Sequence, residues 1–143
     1  MSTPATETRS VVVEREFGHP PEKLWRALTQ PHLIEAWLMR NDFAPVVGHR
    51  FNLRGDWGGV LDCEVREIDA NRTLSYTWNF AHDDPAFNLQ SVVTFTLTPT
   101  RMGTHLRMEQ SGFRPEQKQA TGGARHGWDK FFANLAQLLG TID

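Results

Sequence analysis

The chain carries one cysteine and one tyrosine in 143 residues. Lone Cys63 has no partner for an internal disulfide, which fits a reducing compartment. An excess of either charge is also missing, since 15 Lys and Arg stand against 17 Asp and Glu for a formal net charge of −2. Without a basic surplus, neither nucleic acid nor an anionic membrane surface is an expected partner. No apolar run approaches the roughly 20 residues that span a bilayer, and no basic stretch followed by an apolar run marks a signal peptide. The histidines are scattered: His19, His32, His49, His82, His105 and His126 form no i, i+4 pair and stand near no cysteine pair. No metal or other cofactor is therefore expected. Gly55-Asp56-Trp57-Gly58-Gly59 is glycine-rich without the spacing of a phosphate loop, and no Gly-x-Ser-x-Gly elbow occurs. These absences leave a cytoplasmic domain that does not enter the membrane. At this length one core buries about 68–70% of the unfolded surface.

The strongest pattern present lies at the end of the chain. From Trp128, large apolar residues fall at Phe131, Phe132, Leu135, Leu138, Leu139 and Ile142, the spacing of one helical face. Asp129, Lys130, Asn134 and Gln137 take the opposite face, and Gly140 is a C-terminal stop of the left-handed kind. Gly122-Gly123 is a weak point where this helix either kinks or begins late. Upstream the period is two. Residues 1–9 read as a disordered tail, and 10–143 as one domain. Ser10 to Phe17 alternates as a strand with Val11, Val13, Arg15 and Phe17 on one face. Pro21 and Pro31 each open a short helix, with Leu24, Trp25 and Leu28 on the first and Leu33, Ile34 and Trp37 on the second. Strands follow over 49–54, 60–68, 73–80, 89–98 and 104–110, separated by turn signals. The order β-α-α-β-β-β-β-β-α describes an α+β fold: an antiparallel sheet of about six strands wrapped around a long C-terminal helix.

Particular residues sit at the punctuation of that order. They include Pro21, Leu24-Trp25-Arg26-Ala27-Leu28-Thr29 with Pro31, Ala36-Trp37-Leu38, and Gly48 with Arg50-Phe51. Further on come Val65 with Glu67-Ile68, Leu74, Tyr76 and Trp78 at alternate positions, and Val93-Thr94-Phe95 with Leu97. Gly103-Thr104, Leu106, Ser111-Gly112-Phe113 and Gly127-Trp128 complete the set. From Val11 to Leu139 the chain resembles the START-like (SRPBCC, helix-grip) superfamily, in the branch named for the activator of the ninety-kilodalton heat-shock chaperone ATPase. The resemblance implies a curved sheet gripping the last helix with a hydrophobic cavity between them. It implies no single reaction, because function on this architecture belongs to the site.

The inward positions are Phe51, Leu53, Leu61, Cys63, Tyr76, Trp78, Phe80, Val93, Phe95, Leu106, Met108, Trp128, Phe131, Phe132 and Leu135. They either fill the core or line a pocket for a hydrophobic, aromatic or lipid-like small molecule. Arg15 and Tyr76 are the polar residues expected to face such a pocket, with Gln110 near its end; a rim ion pair is the other place for Arg15. Trp25 and Trp37 anchor the two short helices, which can gate entry. The candidate ligand-binding set is Arg15, Trp37, Phe51, Cys63, Tyr76, Trp78, Phe80, Phe95, Met108, Trp128, Phe131 and Phe132. Two other functions compete with a ligand carrier. One is a regulator that docks on a heat-shock chaperone; the other is a cyclase- or hydrolase-type enzyme using Tyr76, Arg15 or His105 as acid–base groups. The chain is either a monomer or a homodimer.

Overall fold

A computed structural model describes residues 8–85 and 87–143. Most of the expected tail thus lies outside the described residues, and Arg9 at its end already belongs to a strand. The elements run β1 (Arg9–Phe17), α1 (Pro21–Thr29), α2 (Pro31–Trp37), β2 (Arg40–Asn41), β3 (Arg50–Arg54), β4 (Val60–Asp69), β5 (Thr73–Phe80), β6 (Leu89–Pro99), β7 (Thr104–Phe113) and α3 (Lys118–Leu139). This is the expected α+β order with one addition. β2 is only two residues long and pairs with β3 through Arg40–Arg54 and Asn41–Leu53, so it has no periodicity to read.

The strands form one antiparallel sheet in the order β1-β7-β6-β5-β4-β3-β2. Consecutive strands from β2 to β7 are neighbours, as tight turns require, and β1 joins the free side of β7. Alternation decides which face is covered. On β6, Val93, Phe95 and Leu97 are buried while Val92, Thr94 and Thr96 stay half-exposed on the other side. β5 departs from strict alternation because Ser75 and Thr77 are buried as well. Both are small and sit in a central strand, and the Thr77 hydroxyl accepts a 2.7 Å hydrogen bond from the Glu64 amide beside the register shift in β4.

α1 and α2 form a latched pair. The Trp37 indole N–H donates to the Ala27 carbonyl at 2.8 Å, so the second helix is bonded to the first by a fully buried group. Leu24 and Leu28 of α1 reach the core, whereas Trp25 is only partly buried against it. α3 rests on β1, α1 and α2. It runs unbroken from Lys118 through Gly122-Gly123, so it does not begin late. Its start is tied down instead: the buried Gln117 side chain donates to the Asn88 carbonyl at 2.8 Å and accepts from the Arg114 amide at 2.9 Å. Gly140 follows the helix in a right-handed conformation (φ −73°), not the left-handed one, and its N–H is shared between the Ala136 and Gln137 carbonyls. No helix among the described residues is long and apolar enough to cross a membrane.

Candidate ligand cavity

The two halves of α3 do different work. Trp128, Phe132, Leu135 and Leu139 are buried, but none of the residues from Lys118 to Gly127 is. In that first half the sheet-facing positions are Ala120, Gly123, Ala124 and Gly127, at i, i+3, i+4 and i+7. A Cβ built on Gly123 or Gly127 meets no atom within 4 Å. Helix volume is therefore missing where the sheet keeps large side chains. A cavity of about 190 Å³ remains there, walled by Trp78 of β5, Leu89 of β6, Gln110 and Phe113 of β7, and Ala120, Gly123, Ala124, Gly127, Trp128 and Phe131 of α3.

One polar chain crosses this apolar wall, and its donors and acceptors can be assigned outright. The Trp128 indole N–H, which can only donate, bonds to Gln110 Oε1 at 2.9 Å. Gln110 Nε2 therefore carries the amide hydrogens and donates to Ser91 Oγ at 3.0 Å. The Ser91 hydroxyl in turn donates to the Trp78 carbonyl at 2.6 Å. Gln110 and Trp128 are each 1% exposed, so these bonds are shielded from water and hold the amide in one orientation. Among the described residues, no charged side chain lines the cavity.

Most of the expected site residues lie elsewhere in the interior. Trp78, Trp128 and Phe131 line the cavity. Trp37, Phe51, Cys63, Tyr76, Phe95, Met108 and Phe132 belong to the packed core. There, ring pairs such as Phe51–Tyr76 (5.1 Å), Phe43–Phe51 (5.1 Å), Tyr76–Phe95 (6.0 Å) and Trp37–Phe95 (6.3 Å) occupy the space. Phe80 is half-buried and packs edge-on against the exposed Trp57 at 5.5 Å. Arg15 does not enter the interior. Its side chain is exposed on an edge strand, where it is long enough to pass out of the sheet and set its guanidinium 5.5 Å from the Phe17 ring centre.

The three groups weighed for acid–base chemistry do not converge. His105 is on the outer face, 2.9 Å from Glu14. Arg15 is outside and Tyr76 is within the core, where burial, and secondarily the nearby Cys63, hold its phenol well above the usual range. Burial, reinforced by Asp62 and Asp42, pushes the Cys63 thiol up to about 12, which removes it as a nucleophile at neutral pH.

A larger depression of about 370 Å³ is lined by Arg50, Asn52, Asp62, Glu64, Thr77 and Asn79 together with the expected site residues Phe51 and Cys63. Its polar groups answer one another: Asn52 Nδ2 donates to Asp62 at 2.9 Å and Arg50 stands 3.8 Å from Glu64. Of the two, the smaller cavity is the one that combines aromatic walls with an oriented amide. Leu89, Phe113 and the small residues of α3 were not among the sequence candidates. The signal was present in Ala120, Gly123, Ala124 and Gly127, which continue the face of Trp128 and Phe131 with side chains too small to fill it.

An antiparallel sheet folded onto a long C-terminal helix defines a START-like, helix-grip protein. Residues 18–140 match the family described as Activator of Hsp90 ATPase homolog 1-like protein, and the chain belongs to that family. Among solved structures it is similar to MLL2253 from Mesorhizobium loti, with 72% identity, a TM-score of 0.92, and coverage of 94% of this chain and 99% of that one. BH1534 from Bacillus halodurans is 25% identical with a TM-score of 0.77, over 92% of this chain and 96% of that one. DynU16, a putative protein in the dynemicin biosynthetic locus, is 22% identical with a TM-score of 0.82. The match covers 92% of this chain and 47% of DynU16, and it is a likeness of fold alone. No curated protein matches the chain.

Proposed function

We propose that this protein binds a small hydrophobic, aromatic molecule between its sheet and α3. The carrying observation is the 190 Å³ cavity that Ala120, Gly123, Ala124 and Gly127 leave opposite Trp78, Phe113 and Trp128. The helix side of this space is built of Ala and Gly, so side-chain volume is withheld opposite the aromatic wall. A ligand seated there supplies the apolar contact that those small residues do not.

A second reading, a chaperone-docking regulator, draws on the family description and on the exposed apolar residues Trp57 (61% exposed) and Phe87 (45%), bridged through Phe80 and His82.

One experiment separates the two. The purified protein is melted with a panel of one- and two-ring aromatic compounds. A ligand at a hundredfold excess over its dissociation constant adds about 2.7 kcal/mol, or roughly 8 °C for a chain of this length. The rise should saturate and should vanish in Ala124→Leu, which fills the cavity from the helix side. A flat response across the panel, together with stimulation of a heat-shock chaperone's ATPase by the same preparation, would transfer the function to the second reading.

A further inference from the structure

Building on the cavity reading above, we infer that the ligand is a neutral one- or two-ring aromatic whose ring carries a carboxamide or lactam edge. Gln110 is the residue that selects it.

Size sets the first limit. An apolar cavity of about 150 Å³ accommodates benzene, so about 190 Å³ holds one ring with a substituent, or two fused rings with slight widening. Charge sets the second. The walls offer neither a cation for a carboxylate nor a carboxylate for an amine, and an ion left unpaired in such surroundings is costly.

Hydrogen-bond accounting sets the third. A glutamine amide has two N–H donors and two acceptor positions on its oxygen. Gln110 spends one donor on Ser91 and one acceptor position on Trp128. One N–H and one lone pair are left, on a side chain 1% exposed that lines the cavity. Both neighbours are themselves fixed, since Ser91 is committed to the Trp78 carbonyl and the indole N–H has no other role. The amide cannot turn to present two donors or two acceptors. The wall thus presents one donor and one acceptor to whatever enters. A primary carboxamide or a lactam satisfies this pair, with a carbonyl oxygen that accepts and an N–H that donates. A bare hydrocarbon leaves both unmet, and a carboxylate adds a charge while lacking the donor.

The test uses three probes of one shape: naphthalene-2-carboxamide, naphthalene and 2-naphthoate. Their affinities are measured by titration calorimetry against the wild type and Gln110→Met, whose side chain has similar length and no hydrogen-bonding group. In the wild type the carboxamide should bind about tenfold or more tighter than naphthalene, the scale of one well-made hydrogen bond, and 2-naphthoate should bind weakest. In Gln110→Met the ratio of carboxamide to naphthalene affinity should fall to about one. The Gln110 side-chain NH2 resonances of the wild type should also move on adding the carboxamide and not on adding naphthalene, a readout independent of how the variant folds. Equal binding of carboxamide and naphthalene by the wild type, or unmoved Gln110 resonances, overturns the assignment of Gln110 and leaves the cavity reading standing. No binding by any of the three overturns both.

Discussion

Replacing Trp128 tests whether α3 is gripped as described. The indole is 1% exposed and meets four other rings: Trp78 at 5.1 Å, Phe131 at 5.4 Å, Phe95 at 5.7 Å and Phe132 at 6.2 Å. A buried aromatic of this kind removes about 150–250 Å² from water, worth about 4–6 kcal/mol at about 25 cal/mol per Å². Partial compactness of the unfolded chain lowers that figure, so Trp128→Ala should cost about 3–5 kcal/mol, the usual range for deleting a buried tryptophan. Trp128→Phe separates the two parts of the interaction. It keeps a ring but strands Gln110 Oε1, an orphaned buried acceptor worth about 1–3 kcal/mol. The Phe variant should therefore lose about 2 kcal/mol although most apolar contact survives. Urea unfolding followed by far-ultraviolet circular dichroism gives both values, provided the slope with denaturant is unchanged. A loss below about 1 kcal/mol for Trp128→Ala is the size of a surface substitution and would refute the placement of α3. A Phe variant as stable as the wild type would refute the indole–amide bond alone.

Two further perturbations probe the backbone and the buried titratable groups. Gly122→Ala should stabilise by about 0.5–1 kcal/mol, because it is an exposed helical position with open space around the new Cβ. Gly112→Ala should cost about 1–3 kcal/mol in the same unfolding assay, since Gly112 has φ +121° and the added Cβ would stand 2.4 Å from the Gln90 carbonyl. Equal effects at the two sites would contradict that geometry. Stability should also fall with alkaline pH. Cys63 and Tyr76 have folded-state values raised above the unfolded ones, so between the two the unfolded chain holds fewer protons and gains. The decline should begin near pH 9 and approach about 1.4 kcal/mol per pH unit for each group titrating. Cys63→Ala should delay its onset toward the phenol range; an onset unmoved by that change would place the thiol in water.

The fold was largely legible in the chain because burial on one face writes a period into it. Leu74, Tyr76 and Trp78 alternate because a strand alternates, and Trp128, Phe132, Leu135 and Leu139 recur because one side of a helix meets the sheet. Proline at 21 and 31, and the turns around Gly58 and Asn71, mark the boundaries for equally local reasons. Such signals need no knowledge of the partner. Arg15 marks the limit of that logic. Period two assigned it inward with Val13 and Phe17, but only the sheet order makes β1 an edge strand from which a long cationic side chain can leave. Gly122-Gly123 marks another, since local propensity predicts a break that the anchoring of Gln117 and Trp128 prevents. The cavity was the least legible feature. Periodicity says which side chains face inward, but a void is a difference between the volume available and the volume supplied. Sequence alone listed the aromatic rings, and only the tertiary structure showed that five of them, Trp37, Phe51, Tyr76, Phe95 and Phe132, pack into a filled interior while Trp78, Trp128 and Phe131 stand around an open space. That division was decided by the distance between sheet and helix, which no single segment of the chain contains.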